Sequence, residues 1–467
     1  MRICLVFEGS YPYLFGGVSS WAHQLISALP DIEFSLLLIG PKKEKRGQFV
    51  YELPTNVIET YEYFLDEPLD TKPSSRPRFS FSPEETEEIR KMLLCRDCNF
   101  DLIINAFRRQ KYPAEAFLQS REFMAMFSGI MQDTLRLAPY SDTFYMERSM
   151  MLPDLYLMQA KIPKADCYHA ISTGYAGLLT VIAGHVTGKP ILLTEHGIYS
   201  REREEEMIRS DWVSADYKKH WIDFFYMLSG AIHQRAVKIT SLFASASQIQ
   251  KDIGAPADRC EVISNGIDFP KFSTARAKKP DGFIDIGAAV RFAKIKDIKT
   301  MIYAFYEVTQ SFPNARLHIL GPDEDKKYAD ECRELVRYLG LTNVLMPGRI
   351  SDMPAYYEKL DFTILTSLSE GQPLTLLESF AAGRPAVATD VGCCRELIFG
   401  SEGDGFGMAG YIAHPMDAHD IAEKMLLLCN SPEDIKAFGE NGRKRAEKYY
   451  QRPDMVEKYR KLYEEVV

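Results

Sequence analysis

The chain has 467 residues, 46% of them apolar and 26% charged, which excludes wholesale disorder and at this length favours two cores over one. Its 56 Lys and Arg against 65 Asp and Glu leave a net charge of −9. That balance argues against a nucleic-acid binder, whose affinity depends on neutralising phosphates. A local anion site is not excluded, because it needs only one or two cations and some free backbone N–H groups.

In chain order, Ile3–Phe7, Phe34–Ile39, Asp101–Asn105, Cys167–Ile171, Ile191–Thr194 and Ile239–Ser245 are predicted as buried strands. Amphipathic stretches such as Val18–Leu29 and Gly174–His185 lie between several of them. Two helical regions exceed a minimal strand–helix unit. One runs from about 60 to 160, polar over Asp66–Ser82 and helical over Glu84–Leu94, Ala114–Met131 and Phe144–Leu157; the other is Tyr199–Val237. After a polar linker at about Asp268–Asp281 the pattern restarts. Strands are predicted at Phe283–Val290, Ala315–Leu320, Asn343–Met346, Asp361–Thr366 and Pro385–Thr389, and helices at Ile298–Phe312, Lys326–Leu339, Pro373–Ala382 and Ala418–Cys429. Continuous apolar strands alternating with helices predict an α/β fold with parallel sheets, in a domain over 1–272 and another over 280–449.

The nine cysteines include one C-x-x-C, Cys95 and Cys98, and the adjacent Cys393 and Cys394, with no second pair at zinc spacing; reduced thiols are expected. Arg2–Glu8 is too short an apolar run for a signal segment and no window approaches a membrane span, so a cytoplasmic location is expected.

Three stretches carry chemistry. Gly16 and Gly17 open a helix after the first strand, where the backbone can approach a ligand, although a plain tight turn reads equally well and G-x-G-x-x-G is absent. Arg291 and Lys296 lie in the loop after the first strand of the second unit, at the carboxyl edge where parallel sheets bind ligands; they suit a diphosphate, or are surface charges. Glu370, Gly371 and Glu378 fall at the strand–helix turn after Asp361–Thr366 and on the helix that follows. Glu378 lies eight residues beyond Glu370, nearly the same helix face at about 3.6 residues per turn. A carboxylate among Leu374, Leu376, Leu377 and Phe380 needs a partner, and it suits paired sugar or ribose hydroxyls.

Glu370 to Glu378 resembles the E-x7-E motif of retaining GT-B glycosyltransferases of the family-4 type, and Arg291 with Lys296 resembles their R-x4-K. Asn265–Asp268, Gly348–Ile350 with Asp352–Tyr357, and Ala388–Gly392 with Glu396 follow at family spacing. In the first domain, Glu8–Tyr13, Gly16–Trp21, Thr194–Arg203 and the long helical insertion resemble the PelF-like glycosyltransferases of Pel exopolysaccharide synthesis.

This resemblance implies two facing Rossmann-like domains, the first completed by a C-terminal helix within 450–467. It implies that Arg291 and Lys296 bind the donor diphosphate, Glu370 the hexose, Glu378 the ribose, and Arg349 and Ile350 the base. Backbone N–H groups after Gly371, at Leu374 and Thr375, would face phosphate and sugar, while Gly16, Gly17 and His196 would approach the donor from the first domain. It implies a UDP-hexose such as UDP-glucose as substrate, a polysaccharide or oligosaccharide acceptor, and no metal or other cofactor, protein cations replacing the metal at the leaving group. Asp323-Glu-Asp325 matches the D-x-D of metal-dependent enzymes of another fold and is assigned to a solvated loop.

A polymer that leaves the cell requires an integral-membrane transporter partner and recruitment to the inner face of the membrane. The insertions are its candidate docking surfaces, with Phe123, Met124, Met126, Phe127, Phe224, Phe225, Tyr226 and Met227 either exposed there or filling a local core. Two alternatives stand beside the transferase: a sugar-nucleotide 2-epimerase of the same fold, and a non-catalytic nucleotide-sugar sensor.

Overall fold

The computed structural model describes residues 1–70, 77–133 and 139–467; residues 71–76 of the polar stretch Asp66–Ser82 and residues 134–138 of the insertion lie outside the described residues. The chain forms two compact units, Met1–Ile263 with Tyr459–Val467, and Ser264–Lys458.

The first unit contains strands β1 (Arg2–Glu8), β2 (Glu33–Gly40), β3 (Val57–Phe64), β4 (Cys167–Ala170), β5 (Ile191–Glu195), β6 (Lys238–Ser241) and β7 (Cys260–Val262). They pair in parallel in the order β3-β2-β1-β4-β5-β6-β7. The central strands are buried on both faces, which is why they read as unbroken apolar runs. Its helices are α1 (Gly17–Ala28), α2 (Pro83–Leu93), α3 (Phe100–Arg108), α4 (Arg121–Asp133), α5 (Tyr140–Met158), α6 (Tyr175–Thr187), α7 (Tyr199–Arg209), α8 (Ala215–Arg235) and α9 (Ala244–Asp252).

Asp101–Asn105, predicted as a strand, is the middle of α3. Phe100, Ile103, Ile104 and Phe107 are buried at the three- and four-residue spacing of a helix face, and the Asn99 side chain caps the start by accepting from the Asp101 and Leu102 N–H groups. The aromatic residues of the insertions serve mainly the core. Phe123, Phe127, Phe224, Phe225 and Met227 are buried, and Phe123 and Phe127 stack with ring centroids 5.7 Å apart. Exposed apolar side chains there are others, such as Tyr145, Ile208 and Trp212, beside Met124.

The second unit contains α10 (Phe269–Phe272), β8 (Ile284–Ala289), α11 (Ile298–Ser311), β9 (Ala315–Leu320), α12 (Lys326–Tyr338), β10 (Val344–Gly348), α13 (Met353–Tyr357), β11 (Phe362–Leu365), α14 (Leu374–Ala381), β12 (Ala386–Thr389), α15 (Cys394–Phe399), β13 (Gly410–Ala413), α16 (Ala418–Cys429), α17 (Pro432–Tyr449) and α18 (Arg452–Val466). Its sheet is parallel, ordered β10-β9-β8-β11-β12-β13. The stretch 268–281 lies in this unit. There the Lys278 ammonium reaches Asp285 at 2.5 Å and Asp361 at 2.7 Å.

From Tyr459 onward α18 belongs to the first unit. The Tyr463 hydroxyl lies 2.9 Å from His169 Nδ1, Tyr459 lies 3.3 Å from Thr194, and Lys238 pairs with Glu465 at 2.8 Å. All nine cysteines are free.

A buried ion pair ties α17 to the loop between α15 and β13 in the second unit. Arg445 is 1% exposed and clamps Asp404 in two bonds of 2.7 and 2.8 Å, its other N–H groups reaching the Leu397, Ile398 and Gly407 carbonyls. Gly400, at φ +87°, leaves room for the pair, because a Cβ there would meet Asp404 at 2.6 Å. Arg445→Met should destabilise this unit by about 3–5 kcal/mol in urea unfolding, since it strands a buried carboxylate. A loss within experimental error contradicts this reading.

Candidate active site

Each sheet reverses its strand order once: at β1/β4 in the first unit and at β8/β11 in the second. A parallel sheet opens a ligand-binding crevice at the carboxyl ends of such a strand pair, because the following connections leave in opposite directions. In the second unit the loop after β8 carries Arg291 and Lys296, and the turn after β11 carries Glu370 and Gly371. Two bonds lock these segments together. The Leu368 N–H donates to the Ile295 carbonyl at 2.8 Å, and the Thr366 hydroxyl donates to the Lys296 carbonyl at 3.0 Å.

That backbone frame brings Lys296 Nζ within 2.5 Å of Glu370 Oε1, and the Ser367 hydroxyl donates to the same oxygen at 2.5 Å. Both charged side chains are largely buried, at 16% and 11% exposed. Arg291, on the same loop, is exposed and donates to Glu324 at 2.6 Å, so it does not join the Lys296–Glu370 pair. Asp323 is held by Arg333 at 2.7 Å and Asp325 caps α12, so the D-x-D carboxylates have partners within the protein.

The Glu370–Gly371 turn is fixed from two further directions. Gly392, at φ +54°, packs against it so closely that a Cβ would sit 2.0 Å from the Glu370 carbonyl oxygen, and the Cys393 N–H donates to the Gly371 carbonyl at 3.1 Å. Asn265 donates its backbone N–H to Gln372 Oε1 at 2.6 Å. Pro373 then starts α14, whose first turn, with Leu374 and Thr375, carries no side-chain cap. Arg349 and Ile350 follow β10 after Gly348, whose φ is +80°.

Glu378 lies about one turn into α14, and no hydrogen bond to its carboxylate occurs among the described residues. Burial pushes its pKa up to about 7, with Lys271 pulling weakly the other way. The group is therefore poised to gain from donors aimed at it, such as a diol.

Gly16, Gly17 and His196 belong to the first unit. Gly16 and Gly17 form the exposed start of α1, where an added Cβ would meet nothing within 4 Å. His196 follows β5, and burial pushes its pKa down to about 3, which leaves a neutral ring near pH 7. The ring lies edge-on to Trp21 at 4.6 Å, and its Nε2 is buried without a hydrogen-bond partner among the described residues.

Ser367 and Gln372 were not singled out by the sequence. The only signal was position, immediately after the predicted strand Asp361–Thr366 and just before the helix.

Glu378 predicts a pH signature. Its carboxyl keeps its proton in the folded state after the unfolded chain has lost it, so the stability it contributes at acid pH is lost as pH rises through about 7. The stability gain of Glu378→Gln over the parent should therefore grow between pH 5 and 8, by a difference on the order of 3 kcal/mol. Denaturant unfolding at several pH values measures it, and a pH-independent difference contradicts the burial.

Two family models match the chain: "Domain of unknown function (DUF3492)" over residues 1–258 and "Glycosyl transferases group 1" over residues 271–445. The MMP alpha-(1->4)-mannosyltransferase of Mycolicibacterium hassiacum is 24% identical over 294 residues, covering 60% of this chain and 66% of the relative. The capsular polysaccharide biosynthesis glycosyltransferase CapM of Staphylococcus aureus is 28% identical over 211 residues, covering 43% and 53%. The chain thus spans between about half and two thirds of the length of these relatives. Among solved structures, Anabaena HepE in complex with UDP and glucose matches 99% of both chains with a TM-score of 0.58 at 15% identity, a likeness of fold. The chain belongs to the family described as domain of unknown function DUF3492, and its second unit carries a glycosyl transferases group 1 domain.

Proposed function

We propose that the chain is a retaining glycosyltransferase that moves a hexosyl unit from a UDP-linked sugar, such as UDP-glucose, to a growing exopolysaccharide, in the manner of the PelF-like enzymes. The observation that carries this reading is the β8/β11 crevice, where Lys296 meets Glu370 beside the uncapped start of α14 while Glu378 stands without a hydrogen-bond partner among the described residues. A diphosphate entering it would draw on the Lys296 ammonium and the free α14 amides, and Arg291 would swing from Glu324 to meet it. As the bond to the sugar breaks, negative charge grows on the leaving phosphate, and these cations stabilise it without a metal. Glu370, freed from Lys296, accepts sugar hydroxyls, and Glu378 accepts the ribose diol. Base contacts at Arg349 and Ile350 complete the second unit's part of the proposed donor site.

Among the described residues no helix is long and apolar enough to cross a membrane. We assign export of the product to an integral-membrane partner at the inner face of the membrane, with the insertions as its docking surface.

The test is UDP release from UDP-glucose and other UDP-hexoses, with and without glycan acceptors, in EDTA. Arg291→Ala and Lys296→Ala should each lower turnover at least ~100-fold, the effect of removing a transition-state charge stabiliser. Normal turnover in both variants contradicts the diphosphate role, and activity lost in EDTA but restored by magnesium or manganese contradicts the metal-free mechanism. Formation of a 2-epimer in place of UDP identifies an epimerase, and binding without turnover identifies a sensor.

A further inference from the structure

The hydrogen bonds that the Glu370 carboxylate receives among the described residues end on one oxygen. Lys296 Nζ and the Ser367 hydroxyl each lie 2.5 Å from Oε1. The two donors differ in what else can reach them. Lys296 keeps 16% of its side chain exposed, whereas Ser367 is 0% exposed. A ligand in the crevice can draw the ammonium away, but Ser367 offers it no surface.

The surrounding strands hold Ser367 where it is. Its carbonyl accepts the hydroxyl of Thr389, the wholly buried last residue of β12, at 2.7 Å. The preceding Thr366, also buried, donates to the Lys296 and Asp297 carbonyls at 3.0 and 3.2 Å. Two consecutive buried hydroxyls thus serve the two halves of the ion pair: Thr366 the backbone of Lys296, and Ser367 the carboxylate of Glu370. Cys394, wholly buried on α15, lies close to both charges: burial raises its thiol pKa, Glu370 adds to the rise and Lys296 opposes it. A buried hydroxyl stripped of its acceptor is costly, so the Ser367 bond persists whether or not Lys296 stays.

On the proposed reading the diphosphate takes Lys296 and leaves the Glu370 carboxylate to the sugar. A glutamate released from its cation regains side-chain freedom unless a second donor holds it, and an acceptor that must be ordered anew binds hydroxyls less tightly. We infer that Ser367 is a positioning residue: it keeps the Glu370 carboxylate in place when Lys296 turns to the diphosphate, so that the sugar meets an acceptor already oriented. A carboxylate has about four acceptor sites, so Ser367 leaves about three of them to hydroxyls once Lys296 has gone. This rests on the reading of the β8/β11 crevice as a UDP-sugar site, and adds how its sugar subsite survives the loss of its cation.

The test titrates the full chain with UDP and with UDP-glucose by calorimetry. Ser367→Ala should weaken UDP-glucose binding roughly 10-fold, the worth of a hydrogen bond to a charged group, and leave UDP affinity unchanged. Ser367→Cys keeps the side chain's shape with only a weak S–H donor and should show the same selective loss, which decides the matter where the alanine variant does not fold. In a Glu370→Ala background Ser367→Ala should cost nothing further, because its effect passes through Glu370. Equal weakening of UDP and UDP-glucose, or the same loss with the Glu370 side chain absent, marks a merely structural serine and overturns the proposal. A parent that binds neither nucleotide overturns the donor-site reading and this inference with it. A parent that binds both, with Glu370→Ala selectively weakening UDP-glucose while both serine variants match the parent, overturns this inference alone.

Discussion

An ammonium and a carboxylate sharing a largely buried site, Lys296 and Glu370 at 2.5 Å, organise the second unit's crevice. Neither charge is cheap to bury alone, and each offsets the other's loss of water. The surrounding backbone holds the two chain segments in register: Leu368 to Ile295, Thr366 to Lys296, and the Gly392 turn against Glu370 and Gly371. The proposed chemistry exploits this arrangement, because an incoming diphosphate satisfies the ammonium and releases the carboxylate for hydroxyl groups. Binding and preparation of the sugar subsite are then one event.

Glu378 extends the same logic. A carboxyl with a pKa near 7 and no hydrogen bond among the described residues costs stability when charged. Such a cost persists where function uses the group, and on the proposed reading the ribose supplies the missing donors. The two crevices therefore differ at their helix starts. One offers cations and an open helix start, whereas the other has its helix start occupied by Glu8.

How much of this was legible follows from burial. Central strands β1, β2, β4, β5, β8, β9, β11 and β12 are covered on both faces and appear in the sequence as apolar runs. The strands that escaped notice, β3, β7 and β13, are edge strands. β3 mixes Glu59 and Glu62 with Tyr61 and Tyr63 and is only partly buried, and β7 and β13 span three and four residues. The α3 segment misled because three consecutive apolar positions, Leu102, Ile103 and Ile104, look alike in a strand and a buried helix; Phe100 and Phe107 outside that window carried the helical period. α17 was missed despite its start signals, Ser431 as cap and Pro432 in the first turn, since its sequence is mostly polar. In the site, the loop positions of Arg291, Lys296 and Glu370 and the helix position of Glu378 were readable from strand–helix punctuation. The pairings were not: that Arg291 rests on Glu324, or that Glu8 reaches α6 across 168 residues of sequence, depends on which strands become neighbours.

The central claim is that the second unit's crevice holds a UDP-sugar. Hydrogen exchange of the full chain with and without UDP-glucose tests it most directly. The account predicts slowed exchange in the loop from Arg291 to Lys296, the turn from Glu370 to Gln372 and the first turn of α14, centred on Leu374 and Thr375. Saturating UDP-glucose binding that leaves all three segments unprotected would contradict it.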